Sequence, residues 1–443
     1  MNKKTAALHN LGCKVNSYET EAVSELLKNS GYDIVPFEKG ADIYIINTCS
    51  VTNIADRKSR QMIHRARKMN PDAIVVAMGC YVQAEENRKE EEKSADIIVG
   101  NNRKNDIVRL IQEYEISRRR QKDVSDVFTE RGYEQLFISE TSGHVRGFMK
   151  VQDGCDRFCS YCIIPYVRGR VRSRSIEDAV NEARTLAKGG CREVVLSGIH
   201  LSSYGKDLGG ETGLLELIEA IHEVDGISRI RLGSLEPMII TEEFARRLSR
   251  LTKLCPHFHL SLQSGCDRIL QAMNRRYDTA EYKSKCDILR RFFNEPSLTT
   301  DIIAGFPGET EEEFMETVRF VDGISFFETH VFPYSLRKGT QAESLPGHLT
   351  EEKKKKRAAV LIELSEKKKK AHLEKITGSE KEVLIEEKIE ADGLKYWVGH
   401  TREYERVMVR SGDDLKNKLV NIKITGTFDK DSVSGVVSLA LSK

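Results

Sequence analysis

Along the first 115 residues, short apolar runs alternate with helical stretches. Thr5–Asn10, Asp42–Asn47, Ala73–Ala77 and Asp96–Val99 read as strands, and segments 17–30, 53–69, 83–92 and 103–115 carry helical patterns. Strands that are apolar nearly throughout, each followed by a helix, predict a doubly wound parallel sheet covered on both faces. From a strand-like His144–Asp153 the alternation resumes. Strands are expected at Glu193–Ile199, Ser228–Gly233, His257–Leu262, Ser297–Ala304 and Phe326–Pro333, and helices at 176–188, 212–222, 241–251, 279–293 and 310–322. Six such units predict a partial (β/α)6 barrel with its site at the carboxyl ends of the strands. Near Lys381 the pattern changes. Val420, Ile422 and Ile424 alternate with Asn421, Lys423 and Thr425, Val407 and Val409 repeat the period of two, and Gly393, Gly412, Gly426 and Gly435 punctuate the segment. A small antiparallel β-barrel of the oligonucleotide-binding kind follows. The expected class is α/β with three units, 1–125, 141–375 and 376–443.

Composition fits this division. A chain of 443 residues exceeds one ordinary domain, and 39% hydrophobic with 31% charged residues suits soluble cores. The net charge of +2 excludes a strongly basic protein but leaves room for a local basic face. No apolar run approaches the roughly 20 residues that a bilayer-crossing helix needs, and Met1–Asn10 leads into a strand with no apolar signal region. A cytoplasmic protein without membrane attachment is expected.

In that compartment ten cysteines are poor candidates for structural disulfides. Six fall into two groups. Cys13, Cys49 and Cys80 each follow an expected strand, two or three residues past its end, where open parallel sheets bind ligands. Gly12 and Gly79 precede two of them and permit tight turns. Cys155, Cys159 and Cys162 share one loop, CDRFCSYC, at the mouth of the expected barrel. Three thiolates suit three corners of a 4Fe–4S cluster with one iron left open. Zinc is the competing occupant, but it prefers a fourth Cys or His, and neither group offers one. Cys191, Cys255, Cys266 and Cys286 lack partner spacing and read as core or surface thiols.

Two basic features each have two readings. Arg168, Arg170, Arg172 and Arg174 alternate in RGRVRSR, as a solvated charged strand or as a row of guanidiniums for the phosphate or carboxylate of a ligand. Lys353–Lys356 and Lys367–Lys370 flank AAVLIEL on one helix, which buries that stripe and either merely solvates its lysines or offers them to RNA. Residues 351–443 hold 21 Lys and Arg against 17 Asp and Glu. Trp397 reads as core, whereas Tyr396 and Tyr404 fit either core or base stacking.

The Cys155 loop followed by six βα units resembles the radical-SAM superfamily. The three earlier cysteines, GCDRFCSYCIIPYVRGRVRSR and DIIAGFPGET are similar to the methylthiotransferases within it, from Leu11 to about Val437. LGCKVN around Cys13 resembles the MtaB-type branch, which acts on N(6)-L-threonylcarbamoyladenosine at position 37 of tRNA, beside the anticodon.

The resemblance implies two 4Fe–4S clusters and S-adenosylmethionine. Cys155, Cys159 and Cys162 would hold the SAM-binding cluster, and Cys13, Cys49 and Cys80 the auxiliary one. Tyr161 would lie against the adenine, Ser197 and Gly198 near the methionine amino group, and Gly305 beside the adenine. Ser234, Glu236, Gln263 and Ser264 would meet ribose or substrate. As plain strand-end residues these would only turn or cap. The resemblance further implies a radical transfer of a methylthio group to C-2 of the base, a C-terminal TRAM RNA-binding domain, and three partners. These are the tRNA anticodon stem-loop, a flavodoxin- or ferredoxin-type reductant, and a sulfur donor. The same chemistry on isopentenyladenosine of tRNA or on a ribosomal aspartate is the alternative, and a non-catalytic Fe–S RNA-binding protein is the rival of another class.

Overall fold

The computed structural model describes residues 3–84, 89, 91, 93–139, 145–209 and 212–438. The first unit is a sheet of β1 (Thr5–Asn10), β2 (Asp33–Val35), β3 (Ile43–Thr48), β4 (Ile74–Gly79), β5 (Ile97–Val99) and β6 (Gln121–Asp123). Its order is β2-β1-β3-β4-β5-β6, with every pairing parallel. Successive residues of β3 and β4 point to opposite faces, and both faces are covered. Ile43, Ile45, Val76 and Met78 pack with Val23, Leu27 and Leu110 on one side. Tyr44, Ile46, Val75 and Ala77 pack with Ile63 and Ala66 on the other. The expected helix at 83–92 falls largely outside the described residues, which show a short helix, Cys80–Gln83.

The second unit comprises β7 (Arg146–Asp153), β8 (Arg172–Ser173), β9 (Glu193–Gly198), β10 (Arg229–Leu232), β11 (His257–His259), β12 (Ser297–Ala304) and β13 (Glu328–Pro333). His144, expected to open β7, lies outside the described residues. β7, β9 and β10 pair in parallel, as do β11, β12 and β13. Isolated parallel bridges Ile230↔Leu254 and Leu235↔Leu260 join the two sets into a six-stranded partial barrel. Its outward residues, among them Met149, Leu196, Ile230, Phe258 and Ile302, pack on the surrounding helices. The alternate residues face inward and are largely polar: Arg146, Glu193, Arg229, Arg231, His257 and Thr299.

The helix Glu351–Lys375 leads to the third unit, a closed barrel of β14 (Glu380–Ala391), β15 (Leu394–Thr401), β16 (Arg406–Val409), β17 (Leu419–Thr427) and β18 (Ser432–Val437). Its order is β14-β15-β16-β18-β17. Four of its five pairings are antiparallel, as expected, and β16 and β18 pair in parallel. A closed ring with an odd number of strands cannot alternate direction all the way round. Among the described residues no helix is long and apolar enough to cross a membrane.

Candidate active site

Cys13, Cys49 and Cys80 meet at the carboxyl edge of the first sheet. In its strand order the chain changes direction between β1 and β3, the crevice where open sheets bind ligands. Cys13 caps the helix Lys14–Asn29. β3 and β4 run further than expected, so Cys49 and Cys80 follow them directly. Gly79 has φ +97°, and a Cβ there would stand 2.5 Å from Asn47 Oδ1 and 2.8 Å from the Thr48 carbonyl. Asn16 Nδ2 donates to the carbonyls of Leu11 (2.8 Å) and Thr48 (3.0 Å), tying the Cys13 and Cys49 turns together. Burial pushes the Cys49 thiol up to about 12, helped by the neighbouring Cys80 and Cys13. Burial also raises Cys13, against the pull of Arg168.

Arg168 joins this trio to the barrel. Its Nε donates to Cys80 Sγ at 3.2 Å, and Asn101 Nδ2 stands 3.6 Å from the same sulfur. The remaining guanidinium nitrogens reach Glu19 (2.9 Å), Asp153 (3.1 Å) and Asn16 (2.8 Å). Lys150 adds contacts to Glu19 (2.7 Å) and Asp153 (2.6 Å). Burial pushes the Glu19 carboxyl up, but Arg168, Lys104 and Lys150 overcome it and hold the group well below the carboxylate range. Both readings of the arginine row are thereby corrected. Arg168 ends a short helix, Ile164–Arg168, and Arg168, Arg172 and Arg174 are buried. They serve Glu19, Asp153 and Glu182, and Arg170 remains exposed.

The second trio lies in the loop after β7. Gly154, at φ +71°, lets the loop cross the chain where a Cβ would lie 1.8 Å from the Arg170 carbonyl oxygen. The loop is laced to the barrel by Ser160, whose N–H and Oγ reach the carbonyls of Met273 (3.1 Å) and Ala272 (2.7 Å). Cys155, Cys159 and Cys162 line a cavity of about 140 Å³ together with Tyr161, Ser234, Glu236 and Gln263. Burial raises Cys155 to about 11 and Cys162 to about 12.

The lining residues that escaped the sequence reading include three basic ones, Arg157, His200 and Arg275. Arg157 pairs with Glu236, and His200 and Arg275 stand 3.3 and 3.5 Å from it. Burial pushes the Glu236 carboxyl up, but these three neighbours hold it at about 2. Arg275 also donates to Tyr277 Oη (2.9 Å) and to Cys159 Sγ (3.2 Å). Ser197, Gly198 and Gly305 stand outside this lining. The Ser197 hydroxyl turns to the Val195 carbonyl at 3.3 Å, Gly198 packs on Gln152, and Gly305 packs on the Lys354 stem. Ser264 is buried against Thr317.

On neighbouring strands of the barrel, half-buried His259 and Asp301 and exposed His330 come together, His259 Nε2 lying 3.2 Å from Asp301. The floor is closed by Tyr404 of the C-terminal barrel. Its ring stacks on His257 and His400 at 4.9 and 4.6 Å, which makes it a packing residue. Trp397 is core, as expected.

The donor sets fit iron–sulfur clusters better than single ions. A tetrahedral zinc with Zn–S bonds of about 2.3 Å needs sulfurs about 3.8 Å apart. Among the described residues the one His/Cys/Asp/Glu group whose ligand atoms all lie within 4.8 Å of one another is His259, Asp301 and His330. Neither cysteine trio is closed that tightly, and a cubane spreads its ligand sulfurs over separate irons. Soft sulfur donors, N–H groups aimed at the sulfurs, and three ligands per site all agree with a cluster that leaves one iron open.

Residues 149–321 match the radical SAM superfamily, and residues 5–100 match the uncharacterized protein family UPF0004. The chain is 39% identical over 421 residues to the threonylcarbamoyladenosine tRNA methylthiotransferase MtaB of Bacillus subtilis, covering 95% of this chain and 93% of that protein. It is 40% identical over 382 residues to the MtaB of Aquifex aeolicus, covering 86% and 92%. It is 35% identical over 433 residues to the tRNA-2-methylthio-N(6)-dimethylallyladenosine synthase of Moorella thermoacetica, covering 96% of each. The radical S-adenosylmethionine methyltransferase TsrM of Kitasatospora setae shares the fold, with a TM-score of 0.55 at 16% identity over 74% of this chain and 75% of that one. The chain belongs to the radical-SAM tRNA methylthiotransferase family.

Proposed function

We propose that the protein transfers a methylthio group to C-2 of N(6)-L-threonylcarbamoyladenosine at position 37 of tRNA, working in the cytoplasm. The observation that carries this reading is a pair of cysteine trios at the carboxyl edges of two parallel sheets, with Arg168 tying Cys80 of the first to Asp153, two residues before Cys155 of the second. Cys155, Cys159 and Cys162 would hold the SAM-binding 4Fe–4S cluster, and Cys13, Cys49 and Cys80 the auxiliary one. When bound, the first cluster with S-adenosylmethionine would supply a 5′-deoxyadenosyl radical, and the second would hold a sulfur species that a second S-adenosylmethionine methylates.

The chain's own part is placement. Tyr161, Ser234, Gln263 and the Glu236 carboxylate with its basic neighbours would shape the S-adenosylmethionine cavity. Ile199 and His200, which line it directly, take the place expected for Ser197 and Gly198, and Gly305 acts through the packing of the helix Glu351–Lys375. The polar barrel interior, with His257, His259, Asp301 and His330, supports a substituent rich in hydrogen-bonding groups over an apolar isopentenyl chain. Residues 1–125 would form the auxiliary-cluster domain, 141–375 the radical domain and 376–443 an RNA-binding TRAM domain for the anticodon stem-loop. A flavodoxin- or ferredoxin-type reductant and a sulfur donor complete the system.

Mass spectrometry of tRNA nucleosides from cells lacking the gene tests the substrate. Loss of 2-methylthio-threonylcarbamoyladenosine alone is expected. Loss of the isopentenyladenosine derivative instead would move the assignment to that base, and an unchanged nucleoside profile would refute tRNA as the substrate.

A further inference from the structure

Each cysteine trio has one arginine aimed at one of its sulfurs. Arg168 donates Nε–H to Cys80 and Arg275 donates Nη1–H to Cys159, both at 3.2 Å. Neither is a loose surface group. Arg168 is fully buried, and its other N–H groups are fixed on Glu19, Asp153 and Asn16. Arg275 is fixed by Tyr277 and Glu236. A planar guanidinium whose other donors are taken can point its remaining N–H in only one direction. The two arginines differ in what they join. Arg275 and Cys159 both belong to the barrel unit. Arg168 lies on the barrel segment just past Cys162, yet its sulfur belongs to the N-terminal sheet.

Hydrogen bonds to cluster-ligating sulfurs stabilise the more negative, reduced state, and so raise the reduction potential. Resting on the reading that the six cysteines hold two clusters, we propose that Arg168 and Arg275 are paired positioning residues. Each raises the reduction potential of one cluster, Arg168 that of the auxiliary cluster and Arg275 that of the SAM-binding cluster. Because Arg168 crosses between units, the auxiliary site has its full set of sulfur-directed donors only when sheet and barrel are docked.

The test is an EPR-monitored redox titration of the full chain, reconstituted anaerobically, with iron and sulfide determined on the same samples. Arg168→Lys keeps a positive charge beside Glu19 and Asp153 but loses the fixed N–H on Cys80. It should lower the midpoint potential of the auxiliary signal and leave unchanged the signal that responds to added S-adenosylmethionine. Arg275→Lys should do the reverse. Two clusters with unshifted potentials in both variants would overturn the proposal while leaving the cluster assignment intact. A wild-type protein holding one cluster would overturn the assignment itself, and the proposal with it. Should Arg168→Lys fail to fold, the Arg275→Lys protein grown with arginine carrying the heavy nitrogen isotope serves instead. Pulsed EPR of its reduced auxiliary cluster, the signal that does not respond to added S-adenosylmethionine, should show hyperfine coupling to a guanidinium nitrogen, and absence of that coupling would refute the role of Arg168.

Discussion

The cavity trio depends on backbone as much as on sulfur, and Gly154 shows why. Its φ of +71° already disfavours a side chain, and a Cβ would overlap the backbone of Arg170, which cannot swing away. Gly154→Ala should therefore cost more than about 2 kcal/mol and shift Cys155. Iron and acid-labile sulfide per chain should drop from two clusters toward one, with the Cys13 trio still loaded. Ser197→Ala should leave S-adenosylmethionine binding unchanged in calorimetry, since its hydroxyl faces the Val195 carbonyl. The six cysteines were legible in the sequence because a loop spacing and the strand-end rule are local signals. The role of Arg168 was not. Its partners Glu19, Asn16 and Cys80 lie far away in the chain, and alternation with Arg170, Arg172 and Arg174 says nothing of a carboxylate folding over from another unit.

Among the elements, those with a long apolar pattern were read correctly and those built by pairing alone were not. β3, β4 and β12 carry their own hydrophobic signal, whereas β6 is Gln121–Asp123, a polar edge that becomes a strand only because β5 offers it a ladder. The helix Glu351–Lys375 divides its lysines in a way no composition reveals. Lys354 is buried against Tyr334 and donates to its carbonyl at 3.0 Å, and Lys369 pairs with Glu328 and Asp431. The apolar stripe is only partly buried, since Ala358 and Leu361 are inside while Val360 and Ile362 stay exposed. Lys353, Lys355 and Lys367 are exposed. Changing those three to Gln should lower the slope of log affinity for tRNA against log salt by roughly two to three. An unchanged slope would make the helix a solvated strut. Tyr404→Ala removes a ring stacked between two histidines with Arg231 4.7 Å from its centroid. It should cost about 3 kcal/mol and speed proteolysis of the C-terminal barrel.

At the scale of the whole molecule, charge ties the central barrel to the C-terminal one at the barrel floor, where Glu193 holds two arginines that reach across. Arg231 binds its carboxylate at 2.8 and 3.2 Å and reaches across to the carbonyls of Arg402 (2.9 Å) and Thr401 (3.2 Å). Arg229, beside it, donates to Glu382 and to the His400 carbonyl. Burial pushes the Glu193 carboxyl up, but Arg231, Arg146 and Arg229 outweigh burial and hold it below the ordinary 4.5. A carboxyl depressed on folding binds fewer protons in the native than in the unfolded state over that interval, so stability rises with pH there. Its contribution is complete above about 4.5 and is lost as pH falls through the depressed value. Glu193→Gln leaves Arg229 and Arg231 without their shared carboxylate, which should cost about 3–5 kcal/mol at neutral pH. In urea unfolding the variant should also lack part of the wild type's rise in stability up to pH 4.5. A deficit that stays constant across the acid range would mean that the C-terminal barrel is seated by packing around Tyr404, with the arginines reaching its carbonyls independently of the carboxylate's charge.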